Sequence, residues 1–269
     1  MDAGTVASDY GVVPVELSFC VVNTDRRALL RYCLDAIGRE RATVDFETEV
    51  LVLDNASEDG SVEAAREHPA TTVVIAQAER RGTGQNDDEL LRRARGRYCL
   101  LLNGDSELEP GATAALHAAL ASDDRAGAAG AALVRPDGRQ QPSAWRFPGP
   151  WTSFVGAVRL RPRFAVQSRG DQVRRVDWCP STALLVRRAA VDEVGGVDPG
   201  FVAQGDAADL CRRLADAGWH TLYVPAARAA HHEQPSADGA ANGDLPDADL
   251  ELYLSKHHSG VAAALVRLF

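Results

Sequence analysis

The sequence predicts an α/β fold built on a mostly parallel sheet flanked by helices, on three observations. Short runs rich in Val, Leu and Ile alternate with stretches of helical periodicity, the pattern of βαβ units. Several of these runs are apolar at successive positions, as expected of strands covered on both faces. Three of those in the first half stop abruptly in Asn or Asp.

Taken in order, Met1 to Pro14 reads as a loose leader (1–14). Glu16–Val22 is an apolar strand ending in Asn23-Thr24-Asp25, followed by a helix with Leu29, Leu30, Cys33, Leu34 and Ile37 on one face. Glu49–Leu53 is the next strand, and it ends in Asp54-Asn55-Ala56-Ser57. Ser57 or Asp59 caps the helix after it. Thr72–Ile75 is a third strand. Arg80-Arg81-Gly82-Thr83-Gly84 is a flexible turn leading into a helix through Leu90, Leu91 and Ala94.

Tyr98 to Glu107 is the most informative stretch. Tyr98–Leu102 reads as a buried strand that runs into Asn103-Gly104-Asp105-Ser106-Glu107. Ligands of open α/β sheets bind beyond the carboxyl ends of the strands. Asn103, Asp105 and Glu107 therefore belong at the floor of a crevice. Acidic oxygens there suit a hard divalent cation that also binds substrate phosphates. The competing reading is a polar turn in which Ser106 or Asp105 caps a helix starting near Pro110. Asn23 and Asp54 lie at strand ends too, and that convergence favours the ligand site.

In the second half, Ala128–Arg135 and Pro136-Asp137-Gly138 predict strands or a hairpin. Ser143 to Arg175 carries Trp145, Phe147, Trp151, Phe154 and Phe164, which pin a loop or wall a binding site. Val176–Val186 is a strand interrupted at Pro180. Asp206–Ala217 is helical, and His220–Val224 and Arg228–His231 are two short strands. Gln234 to Asp247 is polar and reads as a mobile lid or linker (234–247) before a final helix (248–269).

The 269 residues suffice for one large α/β domain or two small ones, and 45% hydrophobic content allows a full core. A net charge of −9 argues against nucleic acid and anionic membrane as main partners. No apolar run is long enough to span a bilayer, so membrane contact is at most peripheral. The cysteines (Cys20, Cys33, Cys99, Cys179, Cys211) have no CxxC spacing and read as buried thiols of a cytoplasmic protein.

Four motifs carry a family resemblance: Val52 to Ser61 (VLDNASEDGS), Asn103-Gly104-Asp105, the run Val176 to Arg188 with Val194 to Asp198, and Tyr223-Val224-Pro225 followed by His231. Together and in this order they resemble family 2 glycosyltransferases of the GT-A fold, in particular the rhamnosyltransferase-like branch. The resemblance implies a Rossmann-like domain over 15–233. A nucleotide-sugar-binding half would cover 15–125 and a smaller acceptor half 126–233. It implies that Asp54 accepts a hydrogen bond from a pyrimidine base, with Asn23 beside the nucleotide. Asp105 and His231 would ligate Mn²⁺ or Mg²⁺, and Asn103 would contact the nucleotide or the metal's water. Arg81 or Arg80 adds a phosphate contact, or is ordinary solvated charge. Without the resemblance, His231 reads as a surface histidine beside His232.

Two departures stand out. The family run Glu-Asp-x-Asp-Leu-Cys is here Asp206-Ala207-Ala208-Asp209-Leu210-Cys211, with alanine where the general base is expected. The family's asparagine pair after the turn glycines is here Asp87-Asp88. The base falls to Asp206, with Asp209 in reserve; Asp206 reads equally as a helix cap. The expected activity is inverting, metal-dependent transfer from a UDP- or dTDP-sugar to a hydroxyl-bearing acceptor, with a homodimer compatible. The alternative is a nucleotide-sugar-binding protein that lost turnover at Ala207. A nucleotidyltransferase ranks low, because Asn23 to Arg27 has no phosphate-loop glycine.

Overall fold

The computed structural model describes residues 14–150, 166–232 and 245–261. One nine-stranded sheet organises them. The first four strands along the chain that pair with one another are β1 (Leu17–Asn23), β2 (Thr48–Asp54), β3 (Val73–Ala76) and β4 (Tyr98–Asn103). They run parallel in the order β3-β2-β1-β4, so their carboxyl ends form one rim. Connections are α1 (Arg27–Arg41), α2 (Ser61–Glu67) and α3 (Thr83–Arg93). The apolar positions of β1 alternate between faces: Leu17, Phe19 and Val21 pack on one side and Cys20 on the other.

Beyond β4 the sheet continues without a break into the second half. After β5 (Ser106–Leu108) and α4 (Ala112–Ala121) come β6 (Ala126–Val134), β7 (Arg174–Val176), β8 (Ala183–Arg187), α5 (Arg188–Glu193), α6 (Gly205–Asp216), β9 (His220–His231) and α7 (Asp247–His257). β8 is antiparallel to both β4 and β6, β6 and β9 are parallel, and β5 and β7 pair antiparallel with β9. β6 is buried along its whole length and is built of small residues. At Gly130 a Cβ would lie 2.4 Å from the Cys179 side chain, so only glycine fits there.

Several expected elements differ. The interrupted strand Val176–Val186 is two strands, β7 and β8, with different partners. His220–Val224 and Arg228–His231 join into one strand, β9. Its register to β6 jumps from Val224 to Arg228, because Pro225 has no N–H to give the ladder. Pro136-Asp137-Gly138 does make a turn, closed by Gly138 N–H to Arg135 O at 2.8 Å. The return is one bridge, Val134 to Gln140, rather than a strand. Trp145 and Trp178 are core residues with ring centroids 4.8 Å apart. Trp151, Phe154 and Phe164 lie outside the described residues. The expected lid also lies mostly outside them, over 233–244. Its far end is docked, however: Leu245 is buried in the core and α7 begins at Asp247. All five cysteines are buried and free.

Carboxylates and guanidinium groups remote in sequence cap the helices. Asp59 accepts the Arg27 N–H at the start of α1 (2.7 Å). Glu40 accepts the N–H groups of Gly111 (2.8 Å) and Thr113 (2.7 Å) at the start of α4. Asp249 accepts four consecutive N–H groups, Val202 to Gly205, at 2.9–3.0 Å where the chain enters α6. At the other ends, Arg187 bonds the Leu120 and Asp123 carbonyls after α4, and Arg188 bonds those of Leu91, Ala94 and Gly96 after α3. These groups satisfy the orphan donors and acceptors that every helix terminus leaves. Asp249→Ala is expected to lower stability by roughly 3 kcal/mol, since a buried acceptor of charge-assisted bonds is lost. A melting temperature equal to wild type's would count against the cap.

Candidate active site

The site lies on the rim where β1, β2 and β4 end. Asp105 follows β4 directly and is only 3% exposed. It does not cap the helix after it. β5 intervenes, and α4 takes its cap from Glu40. The polar-turn reading of Asp105 and Ser106 therefore fails, and the Ser106 hydroxyl donates instead to Thr182 O at 3.0 Å. β5 pairs with the far end of β9, placing Ser106 opposite His231. That ladder brings His231 Nε2 to 3.6 Å from Asp105 Oδ1. Arg26, just before α1, bonds the other oxygen of Asp105 at 2.5 Å. Glu107 is turned to the outer side, where it pairs with Arg39 (3.0 Å) and His232 (3.3 Å).

Asn23 and Asp54 meet at the ends of neighbouring parallel strands. Asn23 Nδ2 donates to Asp54 Oδ2 at 3.1 Å, and the Ser57 N–H donates to Asp54 Oδ1 at 2.8 Å. Asp54 is fully buried, with one oxygen held by Asn23 and the other by the Ser57 N–H. The same turn holds Ala56 at φ 56°, a left-handed conformation that costs a non-glycine residue energy and that functional loops often keep. Gly104 passes close by: a Cβ there would sit 2.8 Å from Asn23 Oδ1, so a side chain at 104 would push Asn23 aside. Asn103 is half-buried and donates to Thr182 Oγ1 at 3.4 Å. The Arg81 side chain is exposed, while its backbone N–H and carbonyl are both held by the Asn55 amide at 2.8 and 3.1 Å. Asn55 thus ties the second strand end to the Arg80–Gly84 turn, a task that no local pattern announced.

Asp206 and Asp209 do not share one space. Asp206 is 1% exposed and faces α3, where Thr83 Oγ1 donates to its Oδ1 at 3.3 Å. Burial pushes its pKa up to about 6, against the bonds from Asp87, Thr83 and the Ala207 N–H. The cap at the entry to α6 comes from Asp249, which weakens the reading of Asp206 as a mere cap. Asp209 turns the other way. Arg213 (2.8 Å), Lys256 (2.7 Å) and His257 (2.8 Å) surround it. Despite burial these bonds hold its pKa down at about 2. A carboxylate so held is a poor proton acceptor at neutral pH, and its ion pairs tie α6 to α7.

Among the described residues no group of three or more His, Cys, Asp and Glu is arranged to hold a metal ion. Asp105 and His231 supply two donors at one point. That partial set fits a cation whose other ligands come from diphosphate oxygens and water.

A mixed sheet of this order flanked by helices is the GT-A fold, and solved structures resemble the chain in that fold. GalNAc-T7 with UDP, GalNAc and Mn²⁺ aligns at TM-score 0.63 and 17% identity, over 91% of this chain and 47% of that one. The chain thus spans about half the length of that protein. The mannosyltransferase PcManGT of Pyrobaculum calidifontis with GDP-Man and Mn²⁺ aligns at TM-score 0.56 and 18% identity, over 94% and 79%. The chain belongs to the glycosyltransferase like family 2, which it matches over residues 14–244, and it is a glycosyltransferase. A relative from Mycobacterium tuberculosis, N-acetylglucosaminyl-diphospho-decaprenol L-rhamnosyltransferase, is 29% identical over 83% of this chain and 81% of its own. No helix among the described residues is long and apolar enough to cross a membrane.

Proposed function

We propose that the protein is an inverting, metal-dependent transferase that moves a sugar, rhamnose by analogy with its mycobacterial relative, from a dTDP- or UDP-donor to a hydroxyl of a lipid-linked sugar. The observation that carries this reading is the meeting of Asp105 and His231 at 3.6 Å on the strand-end rim. A carboxylate and an imidazole form a mixed oxygen and nitrogen donor set, which suits Mn²⁺ better than Mg²⁺. When bound, the cation would act as Lewis acid on the departing diphosphate.

The remaining roles fall to the chain itself. Asn23 and Asp54 would hold the base, Asn103 would contact the nucleotide, and Arg81 would add a phosphate contact. Asp206 would take the proton of the acceptor hydroxyl as its oxygen attacks the anomeric carbon from the side opposite the diphosphate. The second reading, donor binding without turnover, draws on Ala207, which occupies the family's base position. The two separate in one experiment. A thermal-shift series of nucleotide-sugars with and without Mn²⁺ reports binding, and release of nucleotide diphosphate in the presence of a lipid-linked sugar reports transfer. Stabilisation with no release would favour the binding protein.

Asp54→Ala is expected to weaken UDP and dTDP binding by roughly 1.5–3 kcal/mol, the range for a hydrogen bond to a charged group. Adenine offers no matching imide N–H, so ADP should be indifferent to the change. Unchanged UDP and dTDP affinity by calorimetry would leave Asp54 as a turn residue only.

A further inference from the structure

Asp105 meets two basic side chains, and only one of them belongs to the family motifs. Arg26 Nη1 lies 2.5 Å from Asp105 Oδ2, while His231 Nε2 lies 3.6 Å from Oδ1. The acid is 3% exposed and the Arg26 side chain 34%, so the guanidinium joins the buried carboxylate to solvent.

Arg26 stands where a cation is locally unfavourable. It opens α1 at the N-cap position without a side-chain cap, and Arg27 follows it with no acid in the first turn. The positive end of the helix dipole opposes such charges and favours an anion. The backbone on either side is nonetheless firmly held. Asp25 takes a left-handed φ of 48°, Ser57 Oγ accepts its N–H at 2.8 Å, and its Oδ1 accepts the Glu58 N–H at 2.8 Å. Arg80 pairs with the other Asp25 oxygen, and Asp59 accepts the Arg27 N–H at 2.7 Å. These bonds tie the turn between β1 and α1 to the turn that follows Asp54. A non-glycine residue held at positive φ is backbone fixed against its own preference, as at functional turns. The fold thus holds an arginine against the acid that a cation needs, at a helix end suited to an anion.

We propose that Arg26 is a further donor-binding residue: its guanidinium balances the charge of Asp105 and passes to the diphosphate of the nucleotide-sugar when that carboxylate is given over to the cation. This inference rests on the reading of Asp105 as the cation's ligand. A guanidinium fork matches phosphate oxygens in pairs. Two cations drawn to one carboxylate repel each other, and a diphosphate relieves that repulsion by offering the guanidinium a new partner. Arg26 thereby couples the two ligands. While it holds Asp105 the cation alone binds weakly, and donor and cation together bind strongly. By linkage each raises the affinity of the other by the same factor.

The test is calorimetric titration of wild type, Arg26→Ala, Arg26→Gln and Arg26→Lys with Mn²⁺ alone, and with UDP and dTDP in saturating Mn²⁺. With its carboxylate uncompensated, Arg26→Ala is expected to bind Mn²⁺ alone more tightly than wild type, by roughly 5-fold or more. It is expected to bind the nucleotide with Mn²⁺ more weakly, by roughly 10–100-fold, as on loss of a hydrogen bond to a charged group. Its melting temperature should rise more on adding Mn²⁺ than wild type's does. Arg26→Gln removes the charge yet still offers Asp105 a donor, so it answers the question if the alanine variant does not fold; the same two shifts are expected. Arg26→Lys keeps the charge without the fork and should stay near wild type for Mn²⁺ alone. Loss of both affinities together would mark Arg26 as structural support and overturn the proposal. So would Mn²⁺ binding no tighter than wild type's in the alanine and glutamine variants, or unchanged nucleotide affinity. Asp105→Ala separates the two readings. If it keeps Mn²⁺-dependent nucleotide binding, the assignment of the cation's ligand falls; if it loses that binding while the Arg26 variants behave as wild type, only the role of Arg26 falls.

Discussion

Asp105→Ala is expected to abolish metal-dependent donor binding. The carboxylate is 3% exposed, bonded to Arg26 on one oxygen and within 3.6 Å of His231 on the other. No other described acid stands at that point: Glu107 faces the outer side with Arg39 and His232. A divalent cation needs negative oxygen, and an amide of the same shape carries no charge, so Asp105→Asn is expected to fail as well. Calorimetric titration of UDP and dTDP with Mn²⁺ reads the effect directly, with a melting curve to show that each variant is folded. Wild-type affinity in Asp105→Ala would refute the assignment.

Asp206→Asn is expected to lower the transfer rate by about 10²–10⁴-fold, the usual worth of a general base, and to leave donor affinity in place. The carboxyl titrates at about 6, so at neutral pH it is mostly ionised and its conjugate acid is not too weak to form. Wild-type kcat should fall as pH drops through that value. The asparagine keeps the contact with Thr83 but cannot take a proton. A normal rate would exclude Asp206. A rise in rate on Ala207→Asp would then show a transferase that had lost its base at the adjoining position.

The architecture of the first half was legible because it is written in local patterns. Each apolar run from Leu17 to Leu102 became a strand, and each helical stretch between them became a helix. Asn23, Asp54 and Asp105 could be placed on one rim from strand direction alone, since parallel strands share their carboxyl ends. His231 was legible only through the family motif. The ladder that carries it to Asp105 pairs a three-residue strand with a distant one, and no periodicity announces such a pairing. The second half was read less well for the same reason. Pro180 and Pro225 mark breaks, but whether a break separates two strands or bulges one depends on the partner strand.

The sequence by itself determined the α/β class, the order of the elements of the first half, the rim that gathers Asn23, Asp54 and Asp105, the buried free cysteines and the family. These follow from spacing and residue type, which are properties of the chain. Only the tertiary structure decided what each buried charge does. Asp206 and Asp209 stand three positions apart on one helix, yet one is pushed up to about 6 by burial beside another acid and the other is held at about 2 by three basic side chains. Asp249, distant in the sequence, caps the helix that Asp206 seemed placed to cap. Desolvation and charge pairing act through space, over partners that folding brings together from remote parts of the chain.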